Sequence, residues 1–232
     1  MNKNVALRVL LIFFAAPALA VLATASLAQE KSRIDNAPKF AVGDQWVYKH
    51  TDFANKQEPF TFSNEVKEAD DDIAWLYYGT QRGSKGWWKY DVKRALFIER
   101  REFDPNTPDN RGQVTFTRDE KNGIRVQFPL EVGKSYPVTD YWSGKGFSGD
   151  RQFKVTVKSY EKVKTAAGEF DAYRIVSSGF WSATNGTSGS YDVEEWYAPA
   201  AKRIVKFEVK TYFQGQVQDH DVEELVLFKV SP

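Results

Sequence analysis

Alternation of apolar and polar residues with a period of two predicts an all-β, antiparallel fold: a curved half-barrel or barrel, with a β-sandwich as the alternative. Three observations carry this. Phe153, Val155 and Val157 alternate with Lys154, Thr156 and Lys158, and Val205, Phe207 and Val209 alternate with Lys206, Glu208 and Lys210. Such runs are strands with one wet face. Turn-forming clusters separate the runs at short intervals, and beyond the N-terminal leader no segment sustains a period of 3.6, so any helix is short.

Residues 1–28 read as a secretory signal peptide. Lys3 and Arg8 give a basic start, Val9 to Ala20 an almost unbroken apolar run, and Ser26-Leu27-Ala28 a small-residue cleavage site before Gln29. Ala18-Leu19-Ala20 offers a second cleavage site, and an uncleaved anchor is the competing reading. The apolar run falls short of the roughly 20 residues that span a bilayer, and Pro17 interrupts it. Cleavage implies a periplasmic or secreted bacterial protein with no transmembrane segment left in it. Lipidation of an exported protein needs a cysteine, and the chain has 0 Cys. The mature chain is therefore expected not to be lipidated, and to fold without disulfides in a compartment that permits them.

Cleavage after Ala28 leaves 204 of the 232 residues, enough to bury a substantial core. They are expected to form a single β unit, 29–232, with strand-rich halves at about 38–127 and 128–232. Gln29 to Pro38 is a polar lead-in. Strands are expected over 44–53, 59–69, 72–80, 86–91, 94–103, 113–118, 123–129, 134–142, 150–165, 169–181, 190–198, 203–213 and 216–230. Asp70-Asp71-Asp72 turns the chain between the second and third of these. Lys121-Asn122-Gly123, Ala167-Gly168 and Phe213-Gln214-Gly215-Gln216 have the chemistry of tight hairpins. Asp104 to Asn110 is a longer loop holding two prolines. Phe40-Ala41-Val42-Gly43-Asp44-Gln45-Trp46 is echoed by Leu130-Glu131-Val132-Gly133-Lys134-Ser135-Tyr136. In each, a glycine turn feeds a strand whose aromatic enters the core.

Composition narrows the function classes. The full chain carries net charge +1, and losing Lys3 and Arg8 with the leader makes it −1. An interspersed, near-neutral surface argues against nucleic acid and against a polybasic membrane patch. Aromatics reach 15%, with seven Trp, which suits a β core or a cavity that grips an apolar ligand.

No catalytic motif is present. His50 and His220 stand alone, without metal-ligand spacing, and no GxSxG occurs. Asp192, Glu194 and Glu195 form an acidic cluster read mainly as a solvated face. A hydrolase acting through them is the third reading of function, because paired carboxylates need a defined separation. Asp104, Asn106, Asp109 and Asn110 do not match a calcium loop. No metal and no cofactor is expected, and the protein is read as a non-enzyme.

The second half carries Phe128-Pro129-Leu130-Glu131-Val132-Gly133-Lys134, then Tyr160 to Ile175 with Ala167-Gly168-Glu169-Phe170-Asp171-Ala172 inside it, then Trp196-Tyr197-Ala198-Pro199. These resemble the P-L-x-V-G-K, A-G-x-F-x-A and W-Y-A-P motifs of an exported bacterial β-rich family of unknown function, itself similar to the half-barrels of periplasmic lipoprotein carriers. The resemblance spans Phe128 to Pro232, with Ala166 where proline is common. It implies a curved antiparallel barrel and brings no catalytic residues; function would follow only by analogy.

Three aromatic doublets mark the candidate ligand site: Trp87-Trp88, Tyr141-Trp142 and Phe180-Trp181. Neighbouring strand residues face opposite sides, so one member of each doublet leaves a one-sided core. It must then be covered by chain, partner or ligand. The expected function is a binding or carrier-like protein with an aromatic-lined concavity for an apolar small molecule or lipid. The alternative is an envelope structural or interaction module whose aromatics meet a protein partner.

Overall fold

The computed structural model describes residues 33–119 and 124–232. The signal-peptide reading and the Lys121-Asn122-Gly123 hairpin fall outside them. In chain order the strands are β1 (Arg33–Ile34), β2 (Gln45–Asp52), β3 (Phe60–Ala69), β4 (Ile73–Thr80), β5 (Lys85–Asp91), β6 (Leu96–Phe103), β7 (Arg111–Arg118), β8 (Leu130–Glu131), β9 (Ser135–Gly144), β10 (Phe147–Thr165), β11 (Gly168–Ala183), β12 (Ser188–Ala198), β13 (Arg203–Phe213) and β14 (Gln216–Lys229). Twelve of them close into a barrel, β2 to β7 followed by β9 to β14, with β14 pairing back onto β2. Every pairing is antiparallel. Closure removes the free edges that a half-barrel or a sandwich would leave. The closing seam is short: β7 meets β9 through Phe116–Gly144, Thr117–Ser143 and Arg118–Trp142.

The two glycine turns named in the sequence are built alike. Gly43 and Gly133 have φ of +91° and +90°, a conformation glycine adopts without a side-chain clash. Gly43 N donates to Val66 O and Gly133 N to Val157 O, each at 2.9 Å. Trp46 and Tyr136 then enter the core, both buried. Each copy also anchors a chain segment. The buried Asp44 carboxylate accepts from Ala41 N at 3.0 Å, Ser231 N at 2.7 Å and Lys202 Nζ at 3.2 Å, tying down the C-terminus. Lys134 Nζ donates to Gln127 O and Pro129 O at 3.0 and 2.7 Å. Burial alone would push Asp44 up, yet its hydrogen bonds and Lys202 hold it below the usual carboxylate range.

One expected strand does not form. Across the described part of 123–129, residues 124–129 are irregular. Arg125 N and Val126 N both donate to Arg94 O, and Val126 and Leu130 are fully buried. This segment joins the core instead of a ladder, and its alternation reflects burial on one side only. The expected hairpin at Gln214-Gly215 forms, with φ of +51° and +78°, the mirror-image turn that suits strand twist.

Along β10 and β13 the inward residues are largely apolar and the outward ones largely charged. Lys154, Thr156 and Lys158 of β10 and Lys206, Glu208 and Lys210 of β13 face outward, away from buried Val155, Val157 and Val205. This is the reverse of a membrane barrel, whose apolar band faces lipid. Tyr197 of the W-Y-A-P stretch is buried, while Trp196 points out and donates from Nε1 to Glu161 at 3.0 Å. Pro199 then opens a short 3-10 turn, Pro199–Ala201.

Candidate functional site

Strand register sorts the six aromatic candidates. Trp88 faces the interior, where it stacks on Tyr78 at 4.8 Å and meets Phe97 at 5.0 Å. Trp87 faces out but is only 7% exposed. The loop 104–110 covers it, with Trp87 Nε1 donating to Asn110 O at 2.8 Å, and Arg111 lies 5.0 Å over its ring. That loop braces itself, Asn106 N and Nδ2 both donating to Asp104 Oδ1. Tyr141 and Phe180 point to solvent, 55% and 72% exposed. Trp142 and Trp181 point inward, into a cavity of about 630 Å³. The doublets therefore do not gather at one place: Trp142 and Trp181 share the cavity, Trp88 is packed elsewhere in the interior, and the other three lie outside the barrel.

The cavity occupies the interior beside β7 and β9 to β14. Its wall includes Phe116, Trp142, Phe153, Trp181, Val193 and Phe207. Register gives four of these rings a glycine beside them: Phe116 with Gly144, Trp142 with Gly149, Phe153 with Gly179, and Trp181 with Gly189. The indoles lie over these glycines. A Cβ added at Gly149 would fall 2.8 Å from Trp142 Cζ2, and one at Gly189 would fall 2.9 Å from Trp181 Nε1. A strand glycine leaves a backbone patch that an aromatic can cover. A ring lying against the wall leaves the lumen open. In the sequence Gly144, Gly149 and Gly189 look like loop residues and Gly179 falls inside an expected strand; register alone reveals their partners.

The same wall carries charge. Asp140, 1% exposed, accepts from Arg151 through both Nε, at 2.8 Å, and Nη2. Arg118 approaches the same carboxylate, Nε to Oδ2 at 3.5 Å. Arg151 is the cross-strand neighbour of Trp181, and Arg118 that of Trp142, so each indole sits between an arginine and a glycine. Burial first, then the nearby Arg151 charge, pull the Arg118 guanidinium down to about 9; it stays charged at neutral pH. At the inner end of the cavity Arg125 pairs with the buried Glu195.

That pair corrects the reading of the acidic cluster. Glu195 is not on a solvated face; it points into the barrel, while Glu194 points out and pairs with Arg174. The sequence signal was incomplete because the partner, Arg125, arrives from a segment read as a strand. Of the histidines, His220 Nε2 meets Glu208 at 2.9 Å on the outer face. His50 lies between Glu223 at 3.4 Å and Asp221 at 3.6 Å. Among the described residues no group of His, Asp and Glu is arranged to hold a metal ion.

No protein-family model matches the chain, and no curated protein matches it. Among solved structures it is similar to a candidate lipoprotein from Parabacteroides distasonis ATCC 8503, 15% identical, with a TM-score of 0.50 over 84% of this chain and 100% of that one. An exported protein with a YmcC-like fold from Bacteroides fragilis NCTC 9343 matches at 14% identity, TM-score 0.49, again over 84% and 100%. The hypothetical lipoprotein YmcC from Escherichia coli K12 matches at 9% identity and TM-score 0.43, over 94% and 100%. The likeness to the Parabacteroides protein is one of fold.

Proposed function

We propose that this chain is a binding or carrier protein of the bacterial envelope that holds a small, largely apolar molecule inside the barrel. The observation that carries the reading is the cavity: about 630 Å³, within the range of small-molecule sites, with aromatic walls and a few placed polar groups. The signal-like leader supports export. So does the fold likeness to a candidate lipoprotein, although this chain has no cysteine to acylate. Binding is favoured over hydrolysis because Glu194 and Glu195 face opposite sides of the wall, each held by an arginine.

Native mass spectrometry of protein purified from its own envelope fraction, followed by organic extraction, tests this. A bound apolar molecule that is lost in a Trp142→Ala, Trp181→Ala variant supports the reading. A clean apo mass, with no apolar compound retained on adding envelope extract, overturns it.

A second reading rests on the outer face. Phe180 and Tyr141 are exposed, and Phe180 borders a shallow groove with Ser190 and Tyr212. Exposed aromatics of this kind suit a protein partner. Crosslinking in intact cells, with and without Phe180→Ser, tests that alternative.

A further inference from the structure

We infer that the molecule held in the barrel is an amphiphile whose anionic oxygen-bearing head, a carboxylate or a phosphate, pairs with Arg118. The inference rests on the binding reading above and goes further, to the chemistry of the ligand.

The arginines of the cavity wall are unequally paired. Arg125 is matched by Glu195. Arg151 engages both oxygens of Asp140. Arg118 has one polar contact among the described residues, Nε to Asp140 Oδ2 at 3.5 Å, beyond normal hydrogen-bond length. One carboxylate thus faces two guanidiniums, and Arg151 holds it. The Arg118 side chain is 16% exposed, and its Nε is itself buried without a hydrogen bond. Its remaining exposure is therefore on the rest of the side chain, and the residue lines the cavity. A cation in a low-dielectric site without an assigned acceptor is costly. An incoming oxyanion would supply the missing acceptors through charge-assisted hydrogen bonds.

The surroundings set the rest of the molecule. Arg118 stands beside Trp142 in register and 5.7 Å over the Phe116 ring. Beyond them the lining turns to Phe153, Val155, Val193 and Val209, surface for an acyl or similar chain. The third wall carboxylate, Asp219, is on β14, several strands round the barrel. It accepts from the Thr211 hydroxyl at 2.5 Å. An anionic head is therefore expected at the β7–β9 side and not near β14.

The test is calorimetric titration of the purified full chain with dodecanoate, dodecyl phosphate, dodecanol and dodecyltrimethylammonium, each below its micelle concentration. The two anions should bind at least ~10-fold tighter than dodecanol, as charge-assisted hydrogen bonds require, and the cation more weakly still. Preference for dodecyl phosphate would point to phospholipid-derived ligands, and preference for dodecanoate to free fatty acids; either result supports the inference. Arg118→Gln should abolish the preference for the anions over dodecanol, and Arg118→Lys should restore part of it. The comparison within the wild-type chain needs no variant to fold. Equal affinity for dodecanol and the anions, or preference for the cation, overturns the anionic head and leaves the binding reading standing. Failure of all four probes to bind overturns both.

Discussion

The barrel has two walls of similar aromatic content and opposite use. Along β2 to β7 the inward rings touch one another in file. Tyr48 stacks on Phe62 at 5.3 Å, Tyr78 on Trp88 at 4.8 Å and Phe97 on Phe116 at 5.5 Å, and Phe62–Tyr78 at 5.8 Å and Trp88–Phe97 at 5.0 Å link these pairs. The file ends at Phe116, whose β9 neighbour is Gly144. From there round to β12 Trp142, Phe153 and Trp181 each have a glycine beside them in register, and ring contacts are isolated pairs, Trp142 with Phe147 at 5.3 Å and Phe153 with Tyr191 at 5.8 Å. One wall is filled by ring against ring. The other keeps a lumen because its rings lie on backbone. Inward rings thus make core or cavity according to how many other rings reach them, not according to residue type.

Truncation on the filled wall should have the largest effect. Trp88→Ala removes a ring packed against Phe62, Tyr78 and Phe97, and should cost ~3–5 kcal/mol in denaturant unfolding. A loss below ~1 kcal/mol would mean that the file does not pack as described.

Adding volume to the open wall comes next. Gly189→Ala places a methyl against the Tyr212 carbonyl and the Trp181 indole and should cost ~1–3 kcal/mol, as overpacking does. It should also push the indole into the lumen, so retention of apolar ligand should fall with it. Unchanged stability and retention would break the account of glycine as the seat of the ring.

Trp142→Ala sharpens the contrast. Trp142 meets one ring, Phe147 at 5.3 Å, so it should cost only ~1–2 kcal/mol, the scale of one partly buried side chain, while ligand retention drops. Equal destabilisation by Trp142→Ala and Trp88→Ala would erase the distinction between the walls.

The smallest effect belongs to His50, near the join of β2 and β14. Hydrogen bonding to Glu223 raises its pKa above the ordinary 6.5, against burial. Its contribution is fully present below pH 6.5 and lost as pH rises through the higher folded value. The wild-type melting temperature should therefore fall between pH 6 and pH 8.5 by more than that of His50→Gln, a difference worth under ~1 kcal/mol for a partly exposed pair. Identical pH profiles would show that the ion pair contributes nothing.

Much of the fold was legible in the chain. Alternation marked the strands of β10 and β13, and the turn residues marked Gln214-Gly215 and Ala167-Gly168. The Gly43 and Gly133 echo marked two turns of one construction. The exception, 123–129, failed because alternation reports one buried side and does not say whether a ladder partner is available. The candidate site was legible in part. The doublet rule placed one member of each pair on each face, but said neither which member nor what covered it. Trp87 is covered by the loop at Asn110, and no spacing in sequence connects Arg118, Asp140 and Arg151.

The sequence alone therefore determined the local facts: where strands run, where they turn, and that each doublet straddles the sheet, because these depend on residues a few positions apart. Only the tertiary structure decided the distant ones: that the sheet closes through three residue pairs, that glycines seat the cavity rings, and that two arginines meet one buried carboxylate. Those follow from register between strands, and register is fixed by packing of the whole barrel, not by any single strand.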